Sequence, residues 1–218
     1  MMDQRYLQPA AFIDSDSPSI QTFARDSLTA GDTALEQAVN LYYRVRDGIR
    51  YSPYIDYADP EMYRASSVLA SGFGFCGSKA SLLAACGRAL GIPSRVGYGD
   101  VKNHMNSPRL RDINNGDIMR WHAFTELYLE GHWVKATPAF NLELCTRFRI
   151  KPLEFNGRED SIFHPYDTDQ RRHMEYLKMR GCFADVPLDE IIATYRKYSP
   201  KLLGNNSAGD FAAEAEIV

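Results

Sequence analysis

Residues 72–95 read GFGFCGSKASLLAACGRALGIPSR, a cysteine set among glycines and followed by a helical run with a stop signal. Leu82, Leu83, Cys86, Ala89 and Leu90 recur at the spacing that places side chains on the inward face of an α-helix, and Gly91 with Pro93 ends it. The pattern predicts a helix that begins at or just before Cys76. A thiol at that position meets unpaired backbone N–H groups and the positive end of the helix dipole, both of which favour thiolate over thiol. The glycines permit a tight turn and close approach of a substrate, and the Cys76 N–H is placed to help hold an oxyanion. Taken alone, the segment also fits an inert buried cysteine.

Downstream, Ser94 to Val101 reads as a strand and the polar stretch Lys102 to Arg120 as a long loop. His122 to Leu129 alternates, with Ala123, Thr125, Leu127 and Leu129 on one face and His122, Phe124, Glu126 and Tyr128 on the other. A two-residue turn at Glu130-Gly131 returns the chain as His132 to Pro138. That register sets Lys135 opposite Glu126 and puts Thr137 and Ala139 on the His122 face. His122, where the strand leaves the loop, is the candidate base for Cys76; the plainer reading is a hydrogen-bonded strand histidine.

Upstream, Ser17-Pro18 opens a first helix that runs to Gly31, and Thr33 with Glu36 forms a capping box for a second through Gly48. Tyr51, Tyr54, Tyr57 and Tyr63 fall in an aperiodic stretch, an ordered loop that either shapes a groove or packs its rings over the core. Beyond residue 150 the expectation is a charged loop, a helix ending at Gly181, and another helix carrying Leu188, Ile191, Ile192 and Tyr195. Residues 1–203 are expected to form one domain with its core at about 34–145, and residues 204–218 a flexible tail.

With 44% hydrophobic and 24% charged residues the chain has the composition of a globular protein, and a net charge of -3 argues against nucleic acid or an anionic membrane as partner. No apolar run reaches the length of a membrane span and the first residues lack a secretory pattern, so a cytoplasmic location is expected. Cys76, Cys86, Cys145 and Cys182 show no Cys-x-x-Cys spacing, and reduced thiols are the simplest reading. Glu159, Asp160, His164, Asp167, Asp169 and His173 lie at irregular spacing that suits a solvated loop better than a metal site, so no metal is expected.

Two blocks carry a resemblance. ASSVLASGFGFCGSKASLLAACGRALGIPSRVGYGDV, from Ala65 to Val101, is similar to the nucleophile segment of the transglutaminase-like superfamily in its Gly-x-Gly-x-Cys, its Ala80 and Leu82-Leu83, and its Gly-Ile-Pro-x-Arg from Gly91 to Arg95. HAFTELYLEGHWVKATP, from His122 to Pro138, resembles that family's histidine strand and the tryptophan strand after it. The resemblance implies an α+β, papain-like core: a cysteine-bearing helix packed on an antiparallel sheet, here with a C-terminal helical elaboration. It implies a thioester mechanism on peptide or carboxamide bonds, a peptide or protein substrate, and no cofactor. Hydrolysis is favoured over crosslinking, since no amine-acceptor site is recognisable; the alternative is a binding module that kept the fold and lost the activity.

One departure concerns the third member of the site. The family usually carries an aspartate four residues after the tryptophan, and four after Trp133 stands Thr137, ahead of Pro138. Threonine accepts a hydrogen bond from histidine but offers no charge to an imidazolium. Asn141, expected on the same face, is the other candidate orienter, with an acid such as Asp117 as the fallback.

Overall fold

The computed structural model describes residues 3–104, 106–163, 174–204 and 208–216. Its centre is the helix α4, Cys76–Ala89, in which every side chain from Cys76 to Arg88 is buried. A helix covered on all sides must satisfy each polar group it carries. Ser81 Oγ donates to Gly77 O at 3.0 Å and Arg88 Nε to Ser94 O at 3.0 Å. Lys79 Nζ donates to the carbonyls of Arg46, Ile49 and Ala139 at 2.7–2.8 Å, so its three protons pin three separate segments to the helix. Burial pushes the Lys79 ammonium down to about 7 from its ordinary 10.5.

Among the described residues three α-helices precede α4: α1 (Pro18–Arg25), α2 (Ala34–Gly48) and α3 (Ala65–Ser71). Thr33 and Glu36 form the expected capping box of α2. Between the helices run β1 (Arg50–Tyr51) and β2 (Phe73–Gly74), a short parallel pair that leads the chain into Cys76. On the other side of α4 lies an antiparallel sheet of β3 (Ser94–Asn103), β4 (Ile118–Leu129), β5 (His132–Ala136) and β6 (Met174–Phe183), in the order β5-β4-β3-β6. Thr125 Oγ1 on β4 donates to Ala80 O at 2.8 Å, which fixes α4 to the sheet face that also carries Ala123 and Leu127. The β4–β5 register pairs Glu126 with Lys135, as the alternation requires, and Glu130 and Gly131 take φ of 48° and 91° in the turn between them. The fold is thus α+β with a cysteine-bearing helix on an antiparallel sheet.

Five points depart from expectation. Residues 174–183, expected to end a helix, form strand β6 against β3. Met, Glu, Leu and Lys are good helix formers, but the free edge of β3 offers a ladder of backbone partners and local propensity yields to it. The long loop contains α5 (Pro108–Asn114), opened by Ser107 Oγ accepting from Leu110 N at 3.2 Å and by proline at the first position. α1 ends at Arg25, short of Gly31, and α3 was not foreseen. The strand after the turn stops at Ala136; Asn141 precedes α6 (Leu142–Phe148), so it does not continue the His122 face.

The last helix, α7 (Leu188–Tyr198), has the expected apolar spacing. Within the segment expected to be a flexible tail, Phe211 is buried and its ring stacks on Phe148 at 4.9 Å. No helix of the described residues is long and apolar enough to cross a membrane.

Candidate active site

β2 and the Gly74-Phe75 step deliver Cys76 to the first position of α4, where the last extended residue, Phe75, gives way to helical backbone. The backbone N–H groups of Ala123, Gly77 and Cys76 itself lie near enough to the Cys76 sulfur to favour its thiolate. Two of those donors are helix-start amides, which have no intrahelical acceptor, and the third comes from β4 across the helix–sheet interface. The Ala123 amide belongs to the residue after His122 on β4. Cys76 and His122 both line one cavity of about 20 Å³, whose walls include Tyr51, Tyr57, Tyr195 and Leu202.

This enclosure has an electrostatic cost. Cys76 is 5% exposed, and burial pushes its thiol up to about 11 against the opposing pull of the three N–H groups. The expectation that the helix start favours thiolate is therefore right in sign and insufficient in size: removal from water outweighs it. A neighbouring imidazolium is the kind of charge that would reverse the balance.

His122 is 3% exposed, and its ring packs on Phe163 at 5.3 Å and on Tyr176 at 6.1 Å between centroids. The Tyr176 hydroxyl lies beside the Thr137 side chain, so Thr137 reaches the histidine's surroundings through a tyrosine on β6. Thr137 itself is 1% exposed and held by its backbone, with its N–H donating to Ser161 O at 2.9 Å. Asn141 is occupied elsewhere: its Oδ1 accepts from Tyr51 N at 3.2 Å. Asp117 pairs with Arg111 at 2.7 Å on the surface. Of the irregular acidic and histidine cluster, Asp160 pairs with Lys135 at 2.8 Å and Glu159 accepts from Asn156 at 3.3 Å. His164, Asp167, Asp169 and His173 lie outside the described residues.

The residue before the histidine is a feature the sequence did not announce. Trp121 has φ 58°, a left-handed conformation costly for a bulky side chain. Its N–H donates to Asp100 Oδ1 at 3.2 Å, and Asp100 is held by both Arg180 Nε at 2.6 Å and Nη2 at 2.9 Å. The Arg180 guanidinium also lies over the Trp121 ring at 4.6 Å, while the indole Nε1–H donates to Thr194 Oγ1 at 2.9 Å. Strand β3 supplies the aspartate, β6 the arginine and α7 the threonine. This clamp holds the backbone just before His122, where the β3–β4 register shifts between Gly99 and Val101. Its aspartate and arginine are 80 residues apart, and no spacing rule links them.

Residues 21–138, more than half the chain, match the sequence profile of the transglutaminase-like superfamily. Among solved structures, a candidate cysteine protease from Cytophaga hutchinsonii is 18% identical with a TM-score of 0.47, over 82% of this chain and 54% of that one. A candidate protease from Parabacteroides distasonis is 16% identical with a TM-score of 0.41, over 62% of this chain and 25% of that one. The chain spans about half the length of the first and a quarter of the second. No curated protein matches. The profile match covers the capped helix α2, the cysteine helix and both strands of the histidine hairpin, and the chain belongs to the transglutaminase-like superfamily.

Proposed function

We propose that the chain is a cysteine-dependent hydrolase or acyltransferase on peptide or carboxamide bonds, with hydrolysis as its main reaction. The observation that carries this reading is the Cys76 sulfur at the start of α4, ringed by backbone N–H groups in a cavity that His122 also lines. In the proposed cycle His122 takes the Cys76 proton and the thiolate attacks the carbonyl carbon. The oxyanion forms among backbone amides at the helix start. The tetrahedral species collapses as the imidazolium gives its proton to the departing amine, leaving a thioester. Water then attacks the thioester, His122 accepts its proton and returns it to sulfur, and the carboxylic acid departs. A primary amine in place of water would give transfer.

Thr137 in place of an aspartate means that His122 lacks an adjacent formal charge from that position, so the ion pair should be weaker than in an aspartate-bearing relative. That residue, with the buried thiol, is also what favours the second reading, a binding module with weakened catalysis. A thiol-directed amide probe followed by peptide mapping separates them. An active dyad labels Cys76 far faster than Cys86, Cys145 or Cys182, and an inactive one labels none selectively. Measuring the carboxylic acid against the new amide formed in the presence of an added primary amine then distinguishes hydrolysis from transfer.

A further inference from the structure

The segment 208–214 lies in a groove beside the candidate active site. The Phe211 ring enters a pocket of aromatic side chains, stacking on Phe148 at 4.9 Å and meeting Tyr51 at 5.8 Å and Tyr54 at 6.1 Å. Tyr51 is shared between two sites: its ring touches Phe211 and Phe140, and it lines the cavity of Cys76 and His122. One ring therefore separates Phe211 from the reactive sulfur's cavity. Tyr51 also lines a second hollow of about 170 Å³, whose walls include Asn141 and Arg147 on one side and Asp210 and Ala212 on the other.

Polar contacts fix the segment at both ends of the buried ring. Arg109 Nη2 donates to Ala208 O while its guanidinium lies over Tyr54 at 4.0 Å, and the Tyr54 hydroxyl donates to Glu214 Oε1 at 2.5 Å. Between them Gly209 takes φ +150°, and a Cβ there would come within 2.3 Å of Arg109 and 2.9 Å of Tyr54. The groove thus holds a peptide that turns at Phe211, where Glu214 N donates to Phe211 O at 3.1 Å, by a main-chain carbonyl, an aromatic side chain and a carboxylate three residues later. These are the terms in which a peptide-binding groove recognises its ligand.

We propose that this groove is a substrate-binding subsite occupied in cis, that it selects an aromatic residue followed by a carboxylate, and that segment 208–214 acts as an internal competitor. The proposal rests on the hydrolase reading for the word substrate; the groove's ligand chemistry stands on the contacts alone. The ring that Phe211 braces, Tyr51, is also a wall of the cavity that Cys76 and His122 line. Displacing Phe211 frees Tyr51 to move and opens a path to Cys76.

The test has two arms. In the first, Cys76 inactivation is timed with two peptidyl chloromethyl ketones that differ only in carrying phenylalanine or glycine, on the wild type, Phe211→Ala and Gly209→Ala. Emptying a pocket that its own side chain fills is expected to raise the phenylalanine reagent's rate about tenfold in both variants, and the glycine reagent's by less than about twofold. Equal acceleration of both reagents would mean loosened packing and would overturn the proposal. In the second arm, labelled peptide AGDFAAE is titrated by fluorescence anisotropy against Phe211→Ala in a Cys76→Ala background. The expected result is saturable binding, weakened at least about tenfold when the peptide's phenylalanine is alanine. Equal affinity of the two peptides, or binding of neither, overturns the subsite. This arm needs no reactive cysteine. If Cys76 resists both reagents while AGDFAAE binds selectively, the groove stands and the hydrolase reading falls.

Discussion

Cys76 and Cys86 lie on one helix, ten residues apart, and both are buried, yet they occupy different chemical worlds. Cys86 is fully enclosed among apolar side chains, and burial drives its thiol far above the ordinary range with little to oppose it. Cys76 is almost as enclosed, but three backbone N–H groups meet its sulfur and hold its thiol to about 11. Burial alone does not separate a structural cysteine from a reactive one. What separates them is position along the helix, since only the first turn has amides to spare.

The largest effect should come from exchanging these two residues for alanine. Cys76→Ala is expected to remove turnover by about 10⁴-fold or more, as losing a nucleophile does, while Cys86→Ala retains it. Amine release by the purified variants measures both. The same pair carries a pH signature in stability. In His122→Ala, where no imidazolium faces it, the folded Cys76 thiol should hold its proton from its ordinary 9.0 to about 11, so the fold binds more protons than the unfolded chain across that window. Stability from this group in His122→Ala is therefore present below pH 9 and lost as pH rises through 11, by about 3 kcal/mol, and the Cys76→Ala, His122→Ala double variant should lack that fall in denaturant titrations.

A second comparison concerns the far end of the helix. A glycine-to-alanine change inside an exposed helix stabilises by about 1 kcal/mol. At Gly87 the added methyl would stand 2.3 Å from Ser94 Oγ and 3.0 Å from Leu127. Gly87→Ala is expected to destabilise by about 1–3 kcal/mol, seen as a lower urea midpoint with an unchanged slope.

The Trp121 clamp should act on rate. Asp100→Asn keeps a hydrogen-bond acceptor for Trp121 N but loses the ion pair with Arg180, and turnover is expected to fall about tenfold with KM little changed. A smaller effect is expected from the orienters. Thr137→Ala should slow Cys76 alkylation by about threefold, and Asn141→Ala, whose oxygen serves Tyr51, by less. The reverse order would return Asn141 to the site.

The helix start, the histidine strand and the Glu126–Lys135 register were legible because each depends on local spacing: a helix period, a strand period and a two-residue turn. Strand β6 was not, because 174–183 carries helix-forming residues and becomes a strand only against the edge of β3. α5 was legible in principle from Ser107-Pro108, the same signal that opens α1 at Ser17-Pro18, and the surrounding polar residues masked it. The Asp100–Arg180–Trp121 clamp and the seat of Phe211 join residues from distant elements. Their signal is three-dimensional.

The central claim is that His122 supplies the charge that burial denies Cys76. The direct measurement is the rate of Cys76 carbamidomethylation by iodoacetamide against pH, for the wild type and His122→Ala. With the dyad intact, the wild type should show reactivity that titrates in below pH 9 as an ion pair, and His122→Ala should retain only a single rise centred near 11, where burial alone puts the thiol. Superimposable profiles would contradict the claim and leave Cys76 a buried thiol at a helix start.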